Sequence, residues 1–412
     1  MQKINRATLS NGLRVIHSYD SATTMVALSV IYDVGSADEQ PELTGIAHLM
    51  EHLMFGGSVN IPSFDREIER AGGTDNAWTS PDLTCYYDLL PAHNAETAFW
   101  LESDRMISPA FSQKSLEVQK GVVIEEFKQQ CLNRPYGTLS HLIRSTAFRN
   151  HPYRWPVIGL TPDHVAAATL DDVRAFYFSH YAPSRAVLSV CGNISWDETI
   201  RLSEKWFDPI PDRTTIRRIL PAEPLPCSPR HAETSGNVPS TLVAINYPMP
   251  GQDSALYIPA DILSDVLGTG TSSLLYDRLV RTTDMFHNID ASIDGSRDPG
   301  LFHINAKLRD NVDPTEAYNA INREIASVVA AGIDDTTLQR ALNLFESART
   351  LDNLGCLPRC LDMAQNEIYG RDAATVMKQY LDLTPADIHN AARLILDPTQ
   401  VTTVTFSPTH LP

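Results

Sequence analysis

Two histidines and a glutamate stand close together in a short apolar stretch near the start of the chain. The stretch covers residues 45–57, and its ionisable side chains are His48, Glu51 and His52. In a helix the two histidines lie one turn apart on the same face, and Glu51 flanks that face. Two neutral imidazoles at this spacing can bind a cation such as zinc, and a carboxylate beside them can accept a proton. The stretch therefore predicts a metal-binding helix.

A pair of structural histidines, satisfied by hydrogen bonds, is the alternative interpretation. Ionisable groups are rare in an apolar helix unless they are paired or ligate a metal, so the apolar surroundings favour the metal site. The order His48-x-x-Glu51-His52 is also the inverted zinc-peptidase motif. We therefore predict a zinc ion held by His48 and His52, with Glu51 beside it.

A catalytic zinc usually has three protein ligands, so a third ligand must come from elsewhere in the chain. A helix predicted at about residues 112–131 offers Glu117, Glu125 and Glu126. Its apolar positions, which should mark the packed side, are Leu116, Val122, Val123 and Phe127. Periodicity favours Glu126 over Glu125, and a solvated pair of glutamates is the alternative. Gln119, one heptad before Glu126, can serve only as a neutral hydrogen-bonding group behind the metal.

Length and composition limit the class of protein. At 412 residues the chain suits two domains of about 200 residues each. Apolar residues make up 43% of the chain and charged residues 20%, as in soluble globular proteins. The formal net charge of −17 leaves no basic stripe for phosphates, so nucleic acid is not an expected partner. No apolar run approaches the roughly 20 residues that cross a bilayer, so no membrane partner is expected.

The N-terminus and the cysteines bear on the compartment. Residues 1–8 run directly into a strand pattern without the apolar core of a signal peptide. We therefore expect a cytoplasmic protein, or a periplasmic one if a signal had been removed. Cys356 and Cys360 have helical spacing, but no second pair completes a metal site, so buried reduced thiols are expected.

The elements around the histidine stretch follow from local patterns. Residues 7–16 predict two strands joined by an Asn-Gly turn, and Val26 to Val34 predicts another strand. Thr44 is the expected N-cap of the histidine helix, and Gly56 and Gly57 should end it. Because that helix is apolar on nearly every side, we expect it to lie between other layers.

A proline-rich run at 208–230 divides the chain, and the order of elements then repeats. We predict an α+β fold of two homologous domains, each a mostly antiparallel sheet covered on one face by helices. Residues 1–207 are the predicted N-terminal zinc-binding catalytic domain, and 231–412 form the predicted non-catalytic repeat. The matching helix of the repeat carries residues 258–265, which lack the histidine motif.

The combined motifs resemble one superfamily of peptidases. Glu126 follows His52 by 74 residues, and this arrangement looks like the pitrilysin, insulysin and mitochondrial processing peptidase superfamily. The runs 76–80, 133–137 and 151–159 are similar to its short bacterial members. By that resemblance His48, His52 and Glu126 ligate one zinc ion, and Glu51 is the general base. The family pattern prefers Glu126 to Glu125.

The resemblance also implies a substrate and an assembly. It implies hydrolysis of unfolded peptides that bind as an added strand near residues 74–79, where Asn76 and Ala77 match family positions that contact the peptide. On local sequence alone, an ordinary turn-to-strand entry explains these two residues equally well. In the family two such double domains enclose a chamber. A chain with one double domain is therefore expected to form a homodimer.

Two departures from the family pattern qualify this expectation. Many relatives carry a glutamate seven residues before the ligand glutamate, where this chain has Gln119. Relatives also often carry an arginine and, seven residues later, a tyrosine that steady the substrate. Alignment on a helix predicted at 272–282 places Val280 and His287 there. Either His287 partly substitutes as a substrate-binding residue, or a heterodimeric partner supplies the pair. A non-catalytic scaffold subunit is a minor alternative, against which the intact ligands argue.

Overall fold

The structure, a computed structural model, describes residues 3–216 and 219–409. The chain forms two compact units, each built from separate stretches of sequence. The first contains Met1–Phe127, Pro156–Leu220 and Ala348–Val376; the second contains Lys128–Trp155, Pro221–Ser347 and Met377–Pro412. The predicted division at 1–207, 208–230 and 231–412 follows chain order, whereas the compact units combine stretches from both halves of the sequence. The predicted domain boundaries stay a prediction.

A mostly antiparallel sheet forms the centre of the first unit. Its strands in the described residues are β1 (Ile4–Thr8), β2 (Arg14–Tyr19), β3 (Met25–Tyr32), β4 (Thr74–Thr79), β5 (Thr84–Pro91) and β6 (Ala186–Gly192). They lie in the order β1-β2-β6-β3-β5-β4, with β2 and β6 parallel. The central strand β3 is buried almost throughout because both faces of the sheet are covered. In contrast, β4 lies at an edge.

Helices from the N-terminal half of the sequence cover one face of this sheet. They are α1 (Ile46–Phe55), α2 (Phe64–Arg70), α3 (Ala95–Ile107), α4 (Gln113–Phe127), α6 (Pro162–Ala167), α7 (Leu170–His180) and α8 (Trp196–Trp206). Leu49, Met50 and Met54 of α1 are fully buried in the core of this layer. Because α1 contacts α4, α7 and β4, the expectation that it lies between other layers is confirmed.

A helix from the C-terminal half of the sequence covers the opposite face of the same sheet. This helix, α12 (Cys356–Ile368), packs against β2, β3 and β6. Cys356 and Cys360 lie on its buried side as free thiols, and the Cys360 thiol contacts the carbonyl oxygen of Ser189 at 3.2 Å. The expectation of buried thiols is confirmed at both positions.

The second unit contains another mostly antiparallel sheet. Its strands in the described residues are β7 (Arg230–Gly236), β8 (Leu242–Met249), β9 (Phe286–Ile293), β10 (Gly300–Leu308) and β11 (Thr402–Pro408). Helices α5 (Leu139–Ala147), α9 (Tyr257–Gly268), α10 (Pro314–Ala331) and α14 (Pro385–Ile395) belong to this unit. The remaining helices are α11 (Asp335–Asp352) and α13 (Ala373–Leu381). Within the described ranges, no helix combines the length and apolar character needed to span a bilayer.

The two sheets share one strand order. The run β2-β6-β3-β5-β4 of the first sheet corresponds to β7-β11-β8-β10-β9 of the second, and the parallel pair falls at the same place in both. The predicted α+β duplication is therefore confirmed. Strand β7 begins at the end of the predicted proline-rich run. It was not predicted, because its sequence RHAETSG has almost no apolar residues. The helix predicted at 272–282 is reduced to a π-helical turn at Tyr276–Val280.

Candidate metal centre

Helix α1 begins at a glycine rather than at the expected threonine cap. The N-cap is Gly45, whose φ of 90° is in the left-handed region that favours glycine. The buried Glu39 carboxylate accepts a hydrogen bond from the Ala47 backbone N–H at 2.9 Å, and so satisfies a free donor of the first turn. The prediction that Thr44 is the N-cap is wrong, because a carboxylate from the preceding loop does this work.

Thr44 instead fixes a neighbouring loop against the start of α1. Its hydroxyl contacts His164 Nδ1 at 2.8 Å and accepts a hydrogen bond from the Leu160 backbone N–H at 2.9 Å. Gly159 has a φ of 94°, and a Cβ there would lie 2.8 Å from the Thr44 carbonyl oxygen. The run at 151–159 therefore ends in a glycine that allows this loop to approach the helix start.

A buried arginine secures the other end of α1. As predicted, the helix ends at Gly56 and Gly57. The Arg105 guanidinium donates a hydrogen bond to the Met54 carbonyl oxygen at 3.3 Å and lies over the Phe55 ring. A cation at this position satisfies a free carbonyl of the last turn and complements the helix dipole.

Helix α4 brings Glu126 to the histidines. Its buried positions are Leu116, Lys120, Val123 and Phe127, a stripe of helical period. Val122 is 46% exposed, so the prediction that it marks the packed side is wrong. Glu126 lies beside the stripe and is partly buried, whereas Glu125 is exposed. The structure therefore places Glu126, rather than Glu125, at the histidines.

The three side chains converge on one point. The Nε2 atoms of His48 and His52 are 3.3 Å apart, and a Glu126 carboxylate oxygen lies 3.3 Å from His52 Nε2 and 3.8 Å from His48 Nε2. A tetrahedral zinc about 2.1 Å from each ligand separates the ligand atoms by about 3.4 Å. These three residues are the one such cluster of potential ligands among the described residues. The geometry and the two-nitrogen, one-oxygen donor set fit zinc.

The electrostatics of the cluster favour the protonation states that bind a metal. Burial and the neighbouring His52 lower the pKa of His48 to about 4, so this imidazole is neutral at neutral pH. A hydrogen bond from His52 lowers the pKa of Glu126, which keeps its carboxylate ionised. Metal ligands must be deprotonated, and both shifts act in that direction.

Glu51 lies on α1 beside the two histidines and has its own partner. The Thr79 hydroxyl donates a hydrogen bond to Glu51 Oε2 at 2.5 Å. Burial raises the pKa of Glu51, and the Thr79 hydrogen bond opposes that shift. Sequence reasoning missed Thr79, although it ends the predicted peptide-binding run at 74–79. No local period distinguishes a threonine that contacts a helix far away in the sequence.

The remaining predicted site residues fall in different places. Asn76 is exposed and Ala77 partly buried on the edge strand β4, in the same unit as α1. Gln119 is partly buried on α4, seven residues before Glu126. His287 is exposed on β9, and Val280 is buried at the π-helical turn, both in the second unit. The roles of these residues stay predictions.

Named proteins resemble the chain over most of its length. A zinc protease called PqqE from Helicobacter pylori is 29% identical over 422 residues, covering 99% of this chain and 94% of that protein. A probable mitochondrial-processing peptidase subunit beta from Arabidopsis thaliana is 25% identical over 382 residues, covering 89% and 71% of the two chains. The crystal structure of a protease from Helicobacter pylori matches with a TM-score of 0.92 and 26% identity, covering 99% of this chain and 100% of that one.

Two family models match successive parts of the chain. Residues 14–160, which contain the histidine motif and Glu126, match the model described as Insulinase (Peptidase family M16). Residues 167–345, which include part of the predicted repeat without the motif, match the model described as Peptidase M16 inactive domain. The superfamily identified from the motifs is confirmed: the chain belongs to peptidase family M16, the pitrilysin and insulinase superfamily.

Proposed function

We propose that this protein is a zinc-dependent endopeptidase that hydrolyses unfolded peptides. One zinc ion per chain is held by His48, His52 and Glu126, and Glu51 is the general base. The observation that carries the proposal is the convergence of three potential ligand atoms within 4.8 Å of one another, two of them on the helix that also carries Glu51 and the third on α4. The zinc protease names of the relatives support the same chemistry.

Each residue has a definite part in the reaction. Bound zinc supplies a Lewis acid that polarises a carbonyl and makes water more acidic. Glu51 accepts a proton from the attacking water and passes it to the leaving amine. Burial raises the pKa of Glu51, which brings it closer to the range in which a carboxylate both takes and returns a proton near neutral pH.

The free edge of β4 is the proposed peptide-binding strand. Ser80 N donates to Leu83 O at 2.8 Å and closes the β4–β5 hairpin with a hydrogen-bonded pair. Because bonded and non-bonded pairs alternate, the N–H and C=O groups of Asp75, Ala77 and Thr79 point to the free edge. Consistent with this, the Ala77 N–H is bonded to the Asn76 side-chain oxygen at 2.8 Å instead of to β5. A peptide strand can replace that local bond.

A homodimeric chamber is the assembly that we propose, and a specific observation favours one alternative. Where family members often carry an arginine and a tyrosine, this chain has Val280 and His287, and Val280 is buried. A catalytic subunit that is active only with a different partner chain would obtain that pair from its partner. In the homodimer, the exposed His287 takes part of this role.

Matched variants test the metal site and the base. Glu126→Gln and His52→Ala should lose zinc and activity, whereas Glu125→Gln, which changes the exposed neighbouring glutamate, should keep both. Glu51→Gln should keep zinc and lose hydrolysis of a fluorogenic peptide. Full hydrolysis by zinc-loaded Glu51→Gln would contradict the general-base assignment.

The mass of the purified chain in solution separates the assemblies. An active, zinc-loaded homodimer supports the proposal as stated. A zinc-loaded but inactive homodimer supports the missing partner. A chain that binds no zinc contradicts the enzymatic proposal and supports a scaffold role.

A further inference from the structure

Thr79 connects the edge strand to the proposed base. Its side chain contacts Glu51 on α1, and its main chain belongs to the last residue of β4. The proposed function requires Glu51 and uses the main chain of Thr79, but it assigns nothing to the Thr79 side chain. The contact joins residues that are 28 positions apart in the sequence.

The side chain and the main chain of Thr79 point in different directions. Ala77 packs against the core below the helices, and Trp78 packs against the core on the other face of the sheet. Since side chains alternate along a strand, Thr79 shares the face of Ala77, toward α1. Its backbone N–H and C=O point to the free edge, by the same alternation of hydrogen-bonded pairs that exposes those of Ala77. A peptide strand paired at Thr79 therefore contacts the main chain of the same residue whose side chain binds Glu51.

The position of Thr79 is fixed by its surroundings. Thr79 pairs with Thr84, whose hydroxyl donates a hydrogen bond to the Val34 carbonyl oxygen at 3.0 Å. The turn that follows accepts two backbone hydrogen bonds, Ser36 N to Ser80 O at 3.2 Å and Ala37 N to Pro81 O at 2.8 Å. A hydroxyl on such a support can fix the orientation of a flexible glutamate side chain.

The geometry points to Thr79 as a positioning residue, which restricts the Glu51 carboxylate to one orientation and links that orientation to the strand where the peptide binds. This inference rests on the proposed peptidase function. A base must lie within hydrogen-bond reach of the proton that it accepts, so a misplaced carboxylate slows the chemical step without weakening peptide binding.

Thr79→Val tests the inference, because valine keeps the branched shape and loses the donor. We expect kcat to fall about 10- to 100-fold, as for lost partners of catalytic groups, with KM changed by less than about threefold. Thr79→Ser restores the hydroxyl and should recover most of kcat. Zinc content should equal that of the wild type in both variants. Thr375→Val is the matched control, because it removes a threonine hydrogen bond to a carboxylate, Asp372, at an exposed site, and should leave kcat unchanged.

A second measurement does not depend on activity. The unfolding midpoints of wild type, Thr79→Val, Glu51→Ala and the double variant form a double-mutant cycle. If Thr79 acts through Glu51, Thr79→Val lowers the midpoint in the wild-type background and has a smaller effect when Glu51 is alanine.

Several outcomes would overturn the inference. An unchanged kcat in Thr79→Val, a loss confined to KM, or a Thr79→Ser variant as slow as Thr79→Val would each do so. A wild-type protein without peptidase activity would instead defeat the proposed function. In that case the cycle still decides, because equal midpoint shifts in both backgrounds would show that Thr79 does not act on Glu51.

Discussion

Arg105 is a buried cation on which the end of α1 depends, and its removal gives a quantitative test. Its side chain is 2% exposed and forms an ion pair with the fully buried Glu102 at 3.0 Å. The guanidinium also lies over the Phe64 and Tyr86 rings at 4.5 and 4.8 Å. Arg105→Met keeps much of the volume and removes the charge. It leaves Glu102 without its cation and the Met54 carbonyl without its donor.

The expected cost follows from burial. Removing one partner of a buried ion pair costs about 3 to 5 kcal/mol, because the other charge stays buried without compensation. The control is Arg201→Met on α8. Arg201 forms a pair with Glu198 at the same i,i+3 spacing and 2.7 Å, but the side chains are 55% and 44% exposed. An exposed pair of this kind is screened by solvent and contributes little to stability, so Arg201→Met should leave the free energy of unfolding almost unchanged.

Urea unfolding followed by tryptophan fluorescence is the assay. Of the five tryptophans, Trp78, Trp100, Trp196 and Trp206 belong to the unit that contains Arg105, and Trp155 belongs to the other. The signal therefore reports mainly on the relevant unit. Adding Glu102→Gln to Arg105→Met should recover part of the loss, since it neutralises the unpaired carboxylate. If Arg105→Met is no less stable than Arg201→Met, the argument from buried charge is refuted.

Three further predictions concern stability. Burial and the nearby Glu102 raise the pKa of Asp88 well above its ordinary value, so the folded protein holds a proton that the unfolded chain releases above about pH 4. The free energy of unfolding should therefore fall as the pH rises above about 4. Urea titrations at several pH values should show a weaker fall in Asp88→Asn than in the wild type, and an equal fall in both proteins would contradict the prediction. Gly159→Ala should destabilise by about 1 to 3 kcal/mol because its Cβ meets Thr44 at a positive φ. Gly121→Ala on α4, where a Cβ meets nothing within 4 Å, should stabilise by about 0.5 to 1 kcal/mol; unfolding midpoints that move the other way would refute either.

Local patterns carried most of the prediction of the site. The spacing of His48, Glu51 and His52 places them on one helical face whatever the rest of the chain does, and Gly57, whose φ of 91° is in the left-handed region, cannot continue the helix. Glu126 was favoured from the packed side of α4, although Val122 was misassigned to that side. A one-residue error on a helix rotates a position by about 100°, and here it did not change which glutamate points inward.

The order of elements predicted the duplication but not the arrangement of the strands. In both units the strand that comes last in the sequence, β6 or β11, lies in the sheet between the two strands that come first in the sequence among the five shared strands. Sequence order alone cannot reveal such an insertion, because it depends on pairing between distant residues. The place of α12 was equally hidden. Its helical pattern shows an apolar side, but not that this side packs on a sheet from the other half of the sequence.

The contacts that support α1 share this long-range character. Glu39 accepts a hydrogen bond from a backbone N–H of the first turn of α1, and Arg105 donates one to a backbone carbonyl of the last turn. Thr79 binds the Glu51 side chain. Each is a common residue type without a motif, and each makes one hydrogen bond to α1. A chain could keep all three motif residues and still lose the geometry if these supports were replaced. The motif therefore identifies where the proposed chemistry can occur, and the supports determine whether the proposed metal ligands and base are held in place for it.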